Sequence, residues 1–466
     1  MARRLIATLA LGALFLAAEA SAAPLVIGGT VITPDGPKPN SWIVIDQGRI
    51  QSIESTQPSI PGAKVLATND LIFPGFVDLH DHPLYNVIPR WQPGRLFKNR
   101  YEWRTADDYK AAIANPQSAL VNAGGRRCDD DEYSEVKALI GGTTTLIGVS
   151  PSVGGVPSCA NGLARNIDIG SGFYPRGTPE RVRNEIGMQF IPADNIRDMP
   201  PERIPEIAGQ LQRGELDLLA IHIGEGKRSD PLSRSELDLL DKAGLLGPHT
   251  AIIHGVALDA AAFARVHAAG AALVWSPRSN IELYGETTNV GAARAAGVPI
   301  AIAPDWSPSG STNTLAELRY IAALSPRKSG ARFTAKELFE MATIVPARIA
   351  HADDRIGSLA PGKSADLFLI PGDPAKPYDA LIKATPQAIE LTMIAGEPIY
   401  GTQANLVAAL GLKDGAALEA IEVCGASRAL NPASLPSGPL AEASARLAKV
   451  LADQKSSLAP LAECLP

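Results

Sequence analysis

Two β-branched runs, residues 25–32 and 42–50, are separated by Pro, Gly and Asp, and read as strands joined by turns. From residue 73 the pattern changes, because short apolar strands begin to alternate with helical stretches. Residues 218–223 are a strand. Ser233 to Glu236 has the form of a capping box opening a helix that stops near Gly244, and residues 251–254 are the next strand. The alternation repeats with a helix over 260–269, a strand over 271–275, a helix over 290–296 and a strand over 298–303. Leu315, Leu318, Ile321 and Ala322 give the following helix an apolar face, and Thr334 to Glu337 predicts a second capping box. Strands alternating with helices predict parallel pairing through right-handed crossovers. Residues 188–192 are the candidate fourth strand. Strands return at 365–370 and 389–394; beyond Thr402 the chain is rich in Ala and Leu, with Leu440, Ala443, Leu447 and Leu451 at helical spacing.

A chain of 466 residues with 45% hydrophobic and 20% charged residues has ample material for one large domain with additions. Its net charge of -6 gives no basic excess for nucleic acid. The longest charge run, Asp129 to Glu132, reads as a solvated loop. Arg3 and Arg4, an apolar run over 5–18 and then Ala20-Ser21-Ala22 have the layout of a signal peptide over residues 1–22. The expectation is an exported protein, periplasmic or secreted, with no stable membrane anchor after cleavage. Export makes the four cysteines candidates for disulfides. The pairings favoured are Cys128 with Cys159, in loops on one barrel face, and Cys424 with Cys464, both in the tail. Self-association is open, since the apolar tail helices can pack on their own barrel or on a partner.

Residues 73–83 read as a short strand ending in His80-Asp81-His82-Pro83. Side chains alternate along a strand, so His80 and His82 point one way and Asp81 the other. Two neighbouring imidazoles can share a cation, and Pro83 ends the ladder. In a parallel barrel the chemistry gathers at the C-terminal ends of strands. His222 and His254 end two later strands and Asp305 follows a third. Five such residues at strand ends form a far stronger signal than one His-x-His. His249, His267 and His351 have no matching motif and read as structural.

With these pieces go Pro74 to His82, Gly141-Gly142-Thr143-Thr144-Thr145, His222-Ile223-Gly224-Glu225, His254-Gly255, Ser279-Asn280, Asp305 to Ser311, Ala342-Thr343 with Pro346-Ala347, and Gly357 to Asp366. Over residues 25–400 the sequence resembles the amidohydrolase superfamily, and within it the cytosine and guanine deaminases and triazine chlorohydrolases. The resemblance implies an α/β fold, a (β/α)8 TIM-type barrel over 74–355, flanked by a small β-sandwich from residues 23–73 and 356–401. A helical extension over 402–466 follows. It implies one divalent metal, zinc or iron, on His80, His82, His222 and Asp305. No lysine lies between Lys137 and Lys227, so the lysine that bridges two metals in the binuclear branch is missing.

The implied chemistry is hydrolysis of a carbon–nitrogen bond by metal-bound hydroxide: deamination of a cyclic amidine or aminated heterocycle, a small-molecule substrate. Asp305 would also take the water's proton, Glu225 would shuttle a proton to the substrate nitrogen, and His254 would polarise the atom under attack or steady the hydroxide. Such a role calls for a buried carboxylate. Asn280 and Trp306 are the candidate substrate-side residues; Tyr85, Trp91 and Trp275 also lie near strand ends. The long segment from Tyr85 to Tyr133 reads as a loop able to act as a lid. An amide, lactam or dipeptide hydrolase of the same superfamily is the main alternative, and a non-catalytic secreted metal-binding protein a further one.

Overall fold

Nine strands drawn from both ends of the chain register in one sheet in the computed structural model, which describes residues 23–123, 126–148, 152–153, 156–157, 163–167 and 190–464. Residues 1–22, where a signal peptide is expected, lie outside that set. The first four strands are β1 (Leu25–Thr33), β2 (Gly36–Asp46), β3 (Arg49–Glu54) and β4 (Lys64–Pro74). β1 is buried along its whole length, which its unbroken apolar and small residues allow. Near its middle Gly28 lies under the Trp42 indole, where a Cβ would fall 2.8 Å from the ring.

The chain then enters the barrel with β5 (Phe76–Asp78) and β6 (Thr143–Leu146). A two-residue hairpin, β7 (Ser152–Val153) and β8 (Val156–Pro157), precedes β9 (Arg165–Asn166). Next come β10 (Phe190–Asn195), β11 (Leu218–Ile223), β12 (Thr250–His254), β13 (Ala272–Trp275) and β14 (Ile300–Ile302). Setting the hairpin aside, these are eight parallel strands among the described residues, paired as β5-β6-β9 and β10-β11-β12-β13-β14. A parallel bridge between Asp81 and Asp305 joins the first strand's end to the last. The result is the expected (β/α)8 barrel, with β10 two residues later than the predicted fourth strand. Val77, Leu79, Leu218, Ala220, Ile253, Val274 and Ala301 share one buried cluster, so the barrel is packed below the ends that carry the histidines.

β15 (Leu367–Ile370), β16 (Leu391–Ile394) and β17 (Glu397–Gly401) return to the first sheet, β15 pairing with β4. The tail holds the amphipathic helix Leu440–Asp453, with Leu440, Ala443, Leu447 and Leu451 buried. It also holds a hairpin that its Ala- and Leu-rich composition concealed: β18 (Glu419–Val423) and β19 (Ala426–Leu430) extend the nine-stranded sheet. Among the described residues no helix is long and apolar enough to cross a membrane.

Four local expectations are corrected. Asp129 to Glu132 is not a solvated loop; it lies within the helix Arg126–Ile140 and is buried, because the tail helix covers it. Arg446 donates to both oxygens of Asp129 at 2.9 and 2.8 Å, and Ser437 N donates to Glu132 at 2.7 Å. The Ser233 capping box does not form. The turn Pro231–Arg234 starts earlier, capped by Asp230, and Glu236 points inward. The Thr334–Glu337 box is present. Ala322 is exposed, so the apolar face of its helix ends at Ile321. The segment from Tyr85 to Tyr133 is not an open loop, since helices Arg100–Arg104 and Asn115–Asn122 lie within it.

Cys424 and Cys464 are bonded across a sequence separation of 40 residues, as expected; Cys128 is also disulfide-bonded, while Cys159 lies outside the described residues. Replacing Cys424 and Cys464 by Ser is expected to lower unfolding stability by about 4 kcal/mol, the chain-entropy value for a loop of this length. Denaturant titration of the double variant checks it. An unchanged midpoint would show that packing alone holds the tail.

Candidate active site

Beyond β5 the chain is turned by its own carboxylates. Asp78 accepts from His80 N at 2.9 Å, and Asp81 accepts from His82 N at 2.7 Å and Asn86 Nδ2 at 2.8 Å. Asp81 therefore faces away from the centre, while His80 and His82 turn toward it, their Nε2 atoms 3.3 and 3.5 Å from one oxygen of Asp305. Gly148 makes room for this turn: its φ is +116°, and a Cβ there would fall 1.8 Å from the Asp81 carbonyl oxygen.

His222 is the penultimate residue of β11, and its Nε2 lies 3.2 Å from that of His80. Asn195, at the end of β10, donates to the His222 carbonyl at 2.7 Å. His254 and Asp305 both adopt left-handed backbone, with φ of +70° and +73°. Non-glycine residues are held there only when their surroundings over-determine them, a condition that clusters at functional sites. Thr288 donates to the His254 carbonyl, and Asp305 N donates to the His80 carbonyl at 3.0 Å.

The donors converge as two trios, His80 with His222 and His254, and His80 with His82 and Asp305, whose candidate ligand atoms lie within 4.8 Å of one another. The chemistry of the set suits a divalent cation. The Nδ1 atoms of His80 and His254 are taken by Ser276 Oγ and Asn280 Oδ1, each at 2.8 Å, which leaves Nε2 toward the centre. Burial, then the neighbouring imidazoles, pushes His80 well below the usual histidine range, and burial lowers His254 against the pull of Glu225. Both shifts favour the neutral ring, the form that ligates. Burial raises the Asp305 carboxyl well above the carboxylate range, with Glu225 and Asp81 adding to it against a hydrogen bond from Ser279.

Glu225 is 2% exposed and both its oxygens are engaged. Tyr284 OH donates to Oε1 at 2.6 Å, Arg100 Nε donates to Oε2 at 2.8 Å, and His254 Nε2 lies 3.8 Å from Oε2. Trp103 Nε1 in turn donates to Tyr284 OH at 2.8 Å. Behind them, Glu236 accepts from Gly224 N at 2.7 Å and Tyr101 OH at 2.8 Å, which fixes the turn between His222 and Glu225. Arg100, Tyr284 and Glu236 were not foreseen.

A cavity of about 350 Å3 opens above the centre, walled by Tyr85, Trp103, Tyr109 and Trp306 with Arg104 and Gln117. Trp103 and Trp306 have ring centroids 5.6 Å apart, and both indole N–H groups are spent within the protein, on Tyr284 and Ser309. Such a wall offers ring surface for stacking. Trp306 and Tyr85 both lie on the wall. Asn280 is not: it is fully buried, absent from the wall, and bonded to His254. Asn280 is corrected to a residue that orients His254. Trp275 is buried on Thr287, and Trp91 packs on Phe97. His249 and His351 pack on each other with ring centroids 4.5 Å apart, and His267 contacts Gly297, all apart from the cavity.

Residues 212–399 match the amidohydrolase family. The chain is 26% identical over 408 residues to an 8-oxoguanine deaminase of Pseudomonas aeruginosa, covering 78% of this chain and 91% of that protein. Among solved structures it is similar to an adenosine deaminase from Xanthomonas campestris with bound zinc, at a TM-score of 0.66 and 16% identity over 93% of this chain and 99% of that one. A guanine deaminase from Bradyrhizobium japonicum aligns with a TM-score of 0.63 and 18% identity, over 82% and 100% of the two chains.

Proposed function

The chain belongs to the amidohydrolase superfamily, and on that premise we propose that it is a metal-dependent hydrolase that deaminates a flat aminated heterocycle or cyclic amidine. The observation that carries the reading is the convergence of His80, His82, His222, His254 and Asp305 beside the buried Glu225, under an aromatic wall. The names of the relatives, deaminases of 8-oxoguanine, adenosine and guanine, support the substrate class.

His80, His82, His222 and Asp305 would hold one divalent ion, zinc or iron, and His254 lies beside His80 and His222. A single ion is favoured because β10 carries no lysine. When bound, the ion lowers the pKa of a coordinated water to about 7 and polarises what it touches. Asp305 takes the proton of the attacking water, and His254 Nε2 steadies the incoming oxygen. Glu225 carries a proton to the ring nitrogen beside the carbon under attack, its carboxylate aimed by Arg100 and Tyr284. Trp103 and Trp306 hold the ring flat. The carbon–nitrogen bond then breaks: Asp305 returns the proton it took to the departing amine, which leaves as ammonia, while the hydroxyl proton restores Glu225 and the carbon keeps the oxygen as a carbonyl. Export to an oxidising compartment belongs to the same reading, supported by the Cys424–Cys464 bond and the Ala20-Ser21-Ala22 pattern.

Metal analysis combined with an ammonia-release screen over aminated heterocycles, cyclic amidines and amides tests the proposal. One bound ion and chelator-sensitive ammonia release from a ring substrate are expected. Turnover confined to dipeptides or lactams, or saturable metal binding with no hydrolysis, would overturn it.

A further inference from the structure

The barrel closes between its first and eighth strands, where the proposed ligands His80, His82 and Asp305 meet. Among the described residues β5 is laddered to β6 and β14 to β13, while the two loops beyond them touch through the Asp81–Asp305 bridge. That contact rests on two backbone hydrogen bonds, Asp305 N to the His80 carbonyl and His82 N to the Asp305 carbonyl, each 3.0 Å. Ligand geometry is sensitive to shifts of a fraction of an ångström, so the seam needs further support.

That support comes from a lysine outside the strand ends. Lys137, on the helix Arg126–Ile140, is 0% exposed. Its Nζ donates to the Asn86 carbonyl at 2.5 Å, on the first loop, and to Ser307 Oγ at 2.9 Å, on the last. Asn86 repeats the tie, accepting from Ser307 N at 2.7 Å and donating to Asp81 Oδ1 at 2.8 Å. One helical turn earlier, Ser134 Oγ donates to the Pro83 carbonyl at 2.6 Å. An ammonium is costly to bury, and an apolar chain of similar length would fill the same space. Burial lowers Lys137 to about 7, against the attraction of Asp81. Packing alone does not call for a lysine here, whereas spanning two loops with one group of three donors does.

We propose that Lys137 is a positioning residue of the metal centre, stapling the His80-Asp81-His82 loop to the Asp305 loop so that ligands from opposite ends of the barrel sequence meet around one cation. This rests on the metal-centre reading above.

The test is zinc titration of metal-free protein against a competing chelator, with far-UV circular dichroism confirming the fold. Wild-type protein is expected to bind zinc. Lys137→Met is expected to weaken binding by about 10–100-fold, the range for residues that orient metal ligands. Ser307→Ala removes one of the two acceptors of Lys137 Nζ while keeping the lysine, and is expected to weaken binding by about 10-fold, at the lower end of that range, in a metal-free protein that still folds. If Lys137→Met does not fold, Ser307→Ala decides. Wild-type affinity in folded variants overturns the staple but leaves the metal centre standing. No zinc binding by the wild type overturns the metal centre and the staple together.

Discussion

Glu225→Gln is expected to keep its metal and lose about two to four orders of magnitude in turnover, the usual contribution of a positioned proton carrier. The substitution is close to silent for structure. Glutamine can still accept from Arg100 Nε through its oxygen, and its amide can donate to the Tyr284 oxygen, which continues to take the Trp103 indole N–H. Arg100 keeps a carboxylate partner in Asp198. Neither trio of candidate ligands includes Glu225, so metal content should match the wild type. What disappears is a group able to take and release a proton 3.8 Å from His254. Metal content by mass spectrometry and kcat with a substrate from the ammonia screen check both halves. Full activity would remove Glu225 from the chemistry and leave it a structural partner of Arg100.

The proposed metal ligands were legible because their positions obey a rule local in sequence. A His-x-His after an apolar strand, and His222, His254 and Asp305 each at a strand end, need only the strand pattern to be recognised. The supporting residues obey no such rule. Arg100 reaches Glu225 across 125 positions and Tyr284 across 59, and no periodicity marks either. Asn280 was close to its true place but assigned the wrong partner, since spacing brings it near the site without showing that its carboxamide is spent on His254. The acidic run at Asp129 failed for a related reason. Its partner Arg446 lies 317 positions away, and charge alone cannot tell a solvated face from a covered one.

Asp305→Asn is expected to act in opposite directions on the metal-bound and metal-free protein. Asparagine keeps the shape of the side chain but loses the anionic ligand and the base, so turnover should vanish and zinc affinity fall. In the metal-free chain the carboxyl is buried, and burial, Glu225 and Asp81 hold its pKa well above the ordinary carboxylate value. The sign follows: an acid whose pKa is raised by folding binds more protons in the native state, so it costs stability as pH rises above its unfolded value of about 3.9. At neutral pH an asparagine there carries no such cost. Metal-free Asp305→Asn should therefore melt at or above metal-free wild type at pH 7, and the advantage should shrink toward pH 4. With zinc the order reverses, because a ligand at 100 times its Kd adds about 2.7 kcal/mol to whichever protein binds it. Calorimetry of both proteins, with zinc and with chelator, reads the crossing directly. If the variant is the less stable in both states by the same amount, Asp305 is held by the protein and not by a cation, and the proposed ligand set loses its only carboxylate.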